Sequence, residues 1–193
     1  MLYALLINIG WILAILLFVV FGYTAGSEIW RLFKLPDHQK IDKLIINTVL
    51  GWGVVGYLIW LIGLTKLNLS YSIYFVTFFI LILLIIKLNN IKFSKLFKFE
   101  KLSIIQKFLL FLCGIFLVVS LIGALSPERE FDATWYHLPE AKWFLQNSST
   151  RLIYPSMLGT SSLAPKLPEI LFVWLLAFGK NEILPHLLQW ISA

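Results

Sequence analysis

The sequence predicts an all-α fold, a polytopic bundle of transmembrane helices with an extracytoplasmic loop that carries short interfacial helices. Of its 193 residues, 60% are hydrophobic and 13% are charged, whereas a soluble domain has roughly 45–50% apolar and about 25% charged residues. A chain of this length cannot enclose so many apolar side chains in a globule, so a soluble domain is excluded. Runs such as 81–86 are apolar at every position, and the missing alternation favours helices over membrane strands.

Four apolar runs are long enough to cross a hydrocarbon core of about 30 Å at about 1.5 Å per residue. They define a first region, residues 1–125, with spans at about 2–23, 44–64, 67–86 and 107–125. A second region, 126–167, is the predicted loop. In the third region, 168–193, the run 168–178 is too short to cross alone unless it is tilted, extended or partly re-entrant. A further apolar run begins at 183 and stops abruptly, so we expect this chain to be the N-terminal part of a longer protein.

Lysine and arginine residues predict the orientation of the bundle. The loops after the first and third spans, which must share a side, hold ten of the sixteen basic residues, and five lie on the opposite side over a longer stretch. Because basic residues are enriched in cytoplasmic loops, we predict an integral protein of the cytoplasmic membrane with its N-terminus outside and the 126–167 loop extracytoplasmic. The lysine-rich segment between the third and fourth spans is expected to contact anionic lipid, and nucleic-acid binding is not expected.

Two further signals are interpreted structurally. The run from Gly51 to Gly56 matches the dinucleotide pattern G-x-G-x-x-G, but it lies within an apolar span and follows no predicted strand. Its small residues are therefore predicted to let two helices approach closely. Cys113, the single cysteine, lies in another apolar run, which excludes a disulfide framework and a cysteine-based zinc site.

The 126–167 loop begins with a cluster of carboxylates. Three of them, including Glu130 and Asp132, fall within five positions just past the fourth span, and aromatic residues follow. One interpretation is structural: Asp132 caps a short helix, Pro139 opens its continuation, and the segment lies flat on the membrane with aromatic rings such as Phe144 facing the acyl chains. The other is functional. A carboxylate at headgroup depth is partly desolvated, desolvation raises a carboxyl pKa, and such a group suits general-base catalysis.

A short motif overlaps the end of this cluster and reads Asp132-Ala133-x-x-Tyr136-His137-Leu138-Pro139-x-x-Lys142. It resembles the first large extracytoplasmic loop of the GT-C superfamily, multispan membrane glycosyltransferases that use polyprenyl-phosphate sugars. The stretch Pro165-x-x-Pro168-Glu169-x-Leu171 and the apolar residues after His186 are similar to the continuation in bacterial and archaeal members. The resemblance covers roughly residues 127–190, and it departs from the family because four spans, where one is usual, precede the loop.

The resemblance implies an activity. The full-length protein would move a hexosyl or pentosyl group from a polyprenyl-phosphate donor in the lipid bilayer to an extracytoplasmic acceptor, with inversion. An acidic pair in this loop is catalytic in the superfamily, and the matching positions are Glu130 and Asp132. Asp132 would act as the general base. Glu130 would orient the acceptor or, together with Asp132, bind a divalent cation through carboxylate oxygens.

A leaving phosphate needs positive charge and hydrogen-bond donors. The candidates are Arg129, Tyr136, His137, Lys142 and Arg151. Lys142 lies within the motif, although an interfacial lysine that snorkels from a short helix explains it equally well. His137 either hydrogen-bonds a phosphate or sugar oxygen or is a structural histidine packed under the loop.

Two residues lie further along the chain. Glu169 is predicted to be either a carboxylate at the membrane edge or a lining residue of the same cavity, and His186 is predicted to be structural.

Two other function classes stay open, a transporter or flippase component and a non-catalytic membrane protein of envelope assembly. Transporters usually place ionisable side chains within their spans, and the interiors of the four predicted spans carry none. That pattern favours the enzyme.

Overall fold

Seven α-helices make up the regular structure of the described residues. The computed structural model describes residues 2–36, 40–65, 67–88, 103–126, 137–151 and 167–192. In chain order the helices are α1 Leu2–Leu32, α2 Lys40–Gly63, α3 Leu69–Leu88, α4 Ile104–Ala124, α5 Leu138–Asn147, α6 Leu167–Gly179 and α7 Ile183–Ser192. The predicted all-α class is confirmed.

Four of these helices are long and apolar enough to cross a membrane, with spanning segments at Leu6–Leu32, Asp42–Gly63, Leu69–Lys87 and Ile104–Ala124. The prediction of an integral membrane protein with four long spans is thereby confirmed. α1 continues nine residues past the predicted end at Tyr23. The charged residues Glu28 and Arg31 do not end the helix, because they form an ion pair with each other along it at 2.6 Å. α4 begins three residues earlier than predicted, because Ser103 and Gln106 form a reciprocal capping box.

α1 and α2 pack with their backbones in contact. A Cβ atom added to Gly51 would lie 1.8 Å from the carbonyl oxygen of Gly22, and one added to Gly26 would lie 1.9 Å from the carbonyl oxygen of Asn47. Such distances have room for a hydrogen atom but not for a carbon, so both positions require glycine at this helix separation. The predicted close approach through the small residues of α2 is confirmed at Gly51.

The other two glycines of the same run have different surroundings. Gly56 faces α6, where an added Cβ would lie 2.8 Å from a methyl carbon of Leu167. A Cβ built on Gly53 meets no atom of the described residues within 4 Å. Two of the three glycines therefore serve helix packing, and Gly53 has room for a side chain.

α6 is a short helix packed inside the bundle. Its 13 residues extend over about 20 Å, less than the thickness of a hydrocarbon core, and the residues from Phe172 to Ala177 are all buried. Trp174 joins it to two spans. The indole Nε1 donates to Thr77 Oγ1 at 2.8 Å, and the ring packs edge-on against Phe18 with centroids 4.5 Å apart. α6 therefore ties α1 to α3 from within the bundle.

α4 lies at the edge of the bundle. None of its residues is buried by the described parts of the chain, and Cys113, which lies on it, is exposed. It packs against α7, where Trp190 Nε1 donates to Ser120 Oγ at 2.8 Å. Most of its apolar surface is therefore not covered by the described residues.

α1 and α3 end on the same side of the bundle. Lys87, in the last turn of α3, lies 3.1 Å from Glu28 of α1, donates to Ser27 Oγ, and lies 5.8 Å from the centre of the Tyr23 ring. The C-terminal ends of α1 and α3 therefore lie together, which agrees with the predicted shared side of the first and third loops.

Candidate functional site

α5 lies at the opposite end of the bundle, where α2 ends. After α5, Ser148 adopts the left-handed conformation with φ 49°, and the chain returns to α2. There Thr150 donates from its backbone N–H to the carbonyl of Gly63 at 3.0 Å and from its hydroxyl to the carbonyl of Trp60 at 2.7 Å. Both acceptors are carbonyls of the last turn of α2, and that of Trp60 also accepts from the backbone N–H of Leu64 at 3.2 Å. The bonds hold α5 against the bundle.

The start and the buried face of α5 follow from its sequence. Pro139 lies in the first turn, as predicted, because a proline there loses no helical hydrogen bond. Leu138, Ala141 and Phe144 recur at helical spacing and are at most 2% exposed, and α5 packs against α6. Phe144 therefore faces the protein core, and the interpretation that its ring faces the acyl chains is wrong.

A cavity of about 290 Å³ lies beside the start of α5. Residues of α2, α6 and α7 form it together with His137, the residue that precedes α5. Most of the lining is apolar, and the full set is Trp52, His137, Leu167, Pro168, Leu171, Phe172, Leu188, Gln189 and Ser192. A mainly apolar lining with a few polar groups is typical of sites that bind organic ligands.

His137 is paired with a buried carboxylate. Its Nδ1 lies 2.7 Å from Oε1 of Glu169, and its ring meets that of Phe172 edge-on with centroids 6.3 Å apart. The side chain of His137 is 23% exposed and that of Glu169 is 0% exposed. Glu169 lies in the first turn of α6, just after Pro168, where the helix dipole favours a negative charge. The pair joins the starts of α5 and α6 at the wall of the cavity.

Two more titratable side chains are buried on the neighbouring helices, Glu140 on α5 and His186 on α7. Sequence reasoning does not single out Glu140, although it follows His137 by three residues and shares the buried face of α5. Glu169 is completely buried and does not belong to the described lining of the cavity. Glu169 instead reaches the cavity through His137. His186 is buried, as expected of a structural residue.

Two of the predicted phosphate ligands lie on the surface of the protein. Lys142, on α5, forms an ion pair with Glu182 in the connection between α6 and α7, and the two side chains are 47% and 37% exposed. Arg151 donates from Nη2 to the carbonyl of Leu64 at 3.4 Å. Neither residue lines the cavity described above. Among the described candidates for phosphate binding, only His137 lines it.

Four predicted site residues lie outside the described residues: Arg129, Glu130, Asp132 and Tyr136. The general base, the second carboxylate and the divalent cation that they would bind therefore stay predictions. Within the described ranges, no group of three or more His, Cys, Asp or Glu side chains could hold a metal ion.

No family model, no curated protein and no solved structure matches this chain.

Proposed function

We propose that this protein is an integral membrane glycosyltransferase of the GT-C type, which transfers a hexosyl or pentosyl group from a polyprenyl-phosphate donor to an extracytoplasmic acceptor with inversion. The observation that carries the proposal is the His137–Glu169 pair at the wall of an apolar cavity. His137 follows Asp132 by five residues. A polyprenyl-linked sugar combines a long apolar chain with a phosphate and a polar ring. A cavity that is apolar with a polar group at its wall suits such a molecule.

The proposed chemistry is a direct displacement at the anomeric carbon. Asp132 accepts the proton of an acceptor hydroxyl while that oxygen attacks, and polyprenyl phosphate leaves from the opposite face, which inverts the configuration. Glu130 orients the acceptor or, with Asp132, binds a divalent cation. Positive charge from Arg129, Lys142 or Arg151 stabilises the leaving phosphate. Tyr136 and His137 hydrogen-bond phosphate or sugar oxygens.

Transfer by the full-length protein tests the proposal, and the Lys142–Glu182 ion pair provides a matched comparison. In proteoliposomes that contain radiolabelled polyprenyl-phosphate hexoses and pentoses together with a cell-envelope extract as the source of acceptor, we expect wild type to transfer the label and release polyprenyl phosphate. Lys142→Ala should lower transfer about tenfold or more, because a charge-assisted hydrogen bond contributes about 1.5–3 kcal/mol. Glu182→Gln removes the same ion pair but keeps the lysine, so it should retain wild-type transfer.

Both substitutions should change the free energy of unfolding by less than about 1 kcal/mol, because the pair is exposed. Equal losses of transfer in the two variants would show that the ion pair, and not the positive charge, matters. Absence of turnover by wild type with every donor would contradict the proposed function.

The proposal requires the start of α5 to face the non-cytoplasmic side, as the distribution of lysine predicts. In a Cys113→Ser background, a Gln146→Cys thiol on the exposed face of α5 should react with a membrane-impermeant maleimide on intact cells. A Lys107→Cys thiol in the first turn of α4 should react only after the membrane is permeabilised. The reverse pattern would contradict both the orientation and the proposed enzymology.

A transporter or flippase component is the second candidate, and one observation favours it. Glu140 and Glu169 are completely buried on helices of the bundle, and buried ionisable residues in membrane proteins often mark the path of an ion or a substrate. Transport moves a substrate without breaking its glycosidic bond. Movement of the labelled donor across the bilayer without release of polyprenyl phosphate would favour this candidate over the enzyme.

A further inference from the structure

We propose that Glu169 is the positioning residue of His137: its carboxylate accepts a hydrogen bond from Nδ1–H and holds the imidazole in one tautomer and one orientation on the cavity wall. The inference concerns the same site and rests on the proposed function for its role in sugar transfer. The arrangement of the pair can be tested without any sugar donor.

The geometry of the pair is fixed mainly by α6. Glu169 is completely buried, and its helical neighbours Ile170 and Val173 are at most 1% exposed, so the carboxylate sits on a rigid support. Phe172 lies three residues after Glu169, on the same face of α6, and its ring meets the imidazole edge-on. One turn of α6 therefore supplies both a hydrogen-bond acceptor and a packing surface to His137.

The location of the proton follows from the chemistry of the two groups. An ionised carboxylate is only an acceptor. Nδ1 and Oε1 lie 2.7 Å apart, within hydrogen-bond distance, and we assign the proton between them to Nδ1. Carboxylates that bind one nitrogen of a histidine in this way set the tautomer and the orientation of the ring.

Nitrogen NMR of the full-length protein in nanodiscs tests the inference. With ¹⁵N-histidine labelling, the signals that are lost in the spectrum of His137→Gln are those of His137. In wild type we expect a directly bonded proton on Nδ1 and none on Nε2. Glu169→Leu should move the proton to Nε2, whereas Glu169→Gln, which keeps a carbonyl acceptor, should retain it on Nδ1. Glu182→Gln, which alters an exposed carboxylate, should change nothing at His137.

The measurement on wild type does not depend on Glu169→Leu and decides the matter even if that variant fails to fold. A proton on Nε2 alone, or on both nitrogens, would overturn the inference, and so would a folded Glu169→Leu protein that keeps the Nδ1 proton. In the transfer assay, Glu169→Leu should lower turnover about 10–100-fold and Glu169→Gln should restore most of it. If wild type has the expected tautomer but transfers no sugar, the proposed function fails and the positioning role of Glu169 stands.

Discussion

We expect Asp132→Asn to lower sugar transfer by about 10²–10⁴-fold, which is the usual contribution of a general base. The amide has nearly the shape of the carboxylate, but it cannot accept the proton of an attacking hydroxyl. We expect the abundance of the protein in the membrane to stay at the wild-type level. Release of polyprenyl phosphate in proteoliposomes measures the loss, and membrane extraction followed by immunoblotting measures abundance. This is the largest effect that the proposed mechanism predicts.

Two other carboxylates provide the comparison for Asp132. Glu130→Gln should lower transfer less than Asp132→Asn if Glu130 only orients the acceptor. If the two residues share a divalent cation, both variants should lose transfer and both losses should depend on the concentration of the ion. Asp42→Asn alters a carboxylate in the first turn of α2, at the end of that helix away from the site, and should leave transfer unchanged. Full turnover by Asp132→Asn would assign the base to another residue.

Gly51→Ala should produce the largest loss of stability among single-methyl additions to α2. The added carbon would lie 1.8 Å from the carbonyl oxygen of Gly22, so α1 and α2 must move apart. Overpacking of this kind typically costs about 1–3 kcal/mol and occasionally more. We expect a clear decrease in Tm, measured in detergent from the tryptophan fluorescence, together with a reduced yield of folded protein.

Gly53→Ala is the matched control, because it adds the same methyl group to the same helix two residues away. Nothing among the described residues lies within 4 Å of its new carbon, and replacing a helical glycine by alanine is worth up to about 1 kcal/mol of helix propensity. Its Tm should therefore equal or exceed that of wild type. A Gly51→Ala protein as stable as Gly53→Ala would mean that α1 and α2 are not in backbone contact.

The long helices could be predicted from the sequence because a membrane requires long apolar runs and leaves few other structures. The ends of these helices were less predictable. α1 extends beyond Tyr23 because Glu28 pairs with Arg31 and Lys87, and the second of these partners lies on α3, far along the chain. Apolarity alone carries no information about such pairs.

The candidate site was only partly predictable for the same reason. His137 and Glu169 are each noticeable in the sequence, but their contact joins residues 32 positions apart and depends on how α5 packs on α6. The burial of Glu140 and Phe144 depends on which face of α5 meets that helix. Periodicity identifies an amphipathic helix but does not name its neighbour. The roles of Glu130 and Asp132 rest on the resemblance and on position in the chain.

The edge position of α4 sets how strictly its sequence must be specified. Because no side chain of α4 is buried by the described parts of the chain, exchanging one aliphatic residue for another along most of its length alters no interior packing. Among the described residues, the exceptions are Leu121 and Ala124, which pack against the core, and Ser120, whose hydroxyl accepts a hydrogen bond from the Trp190 indole. α4 is therefore the natural place to attach a fluorophore, a crosslinker or an affinity handle with little disturbance to the rest of the molecule.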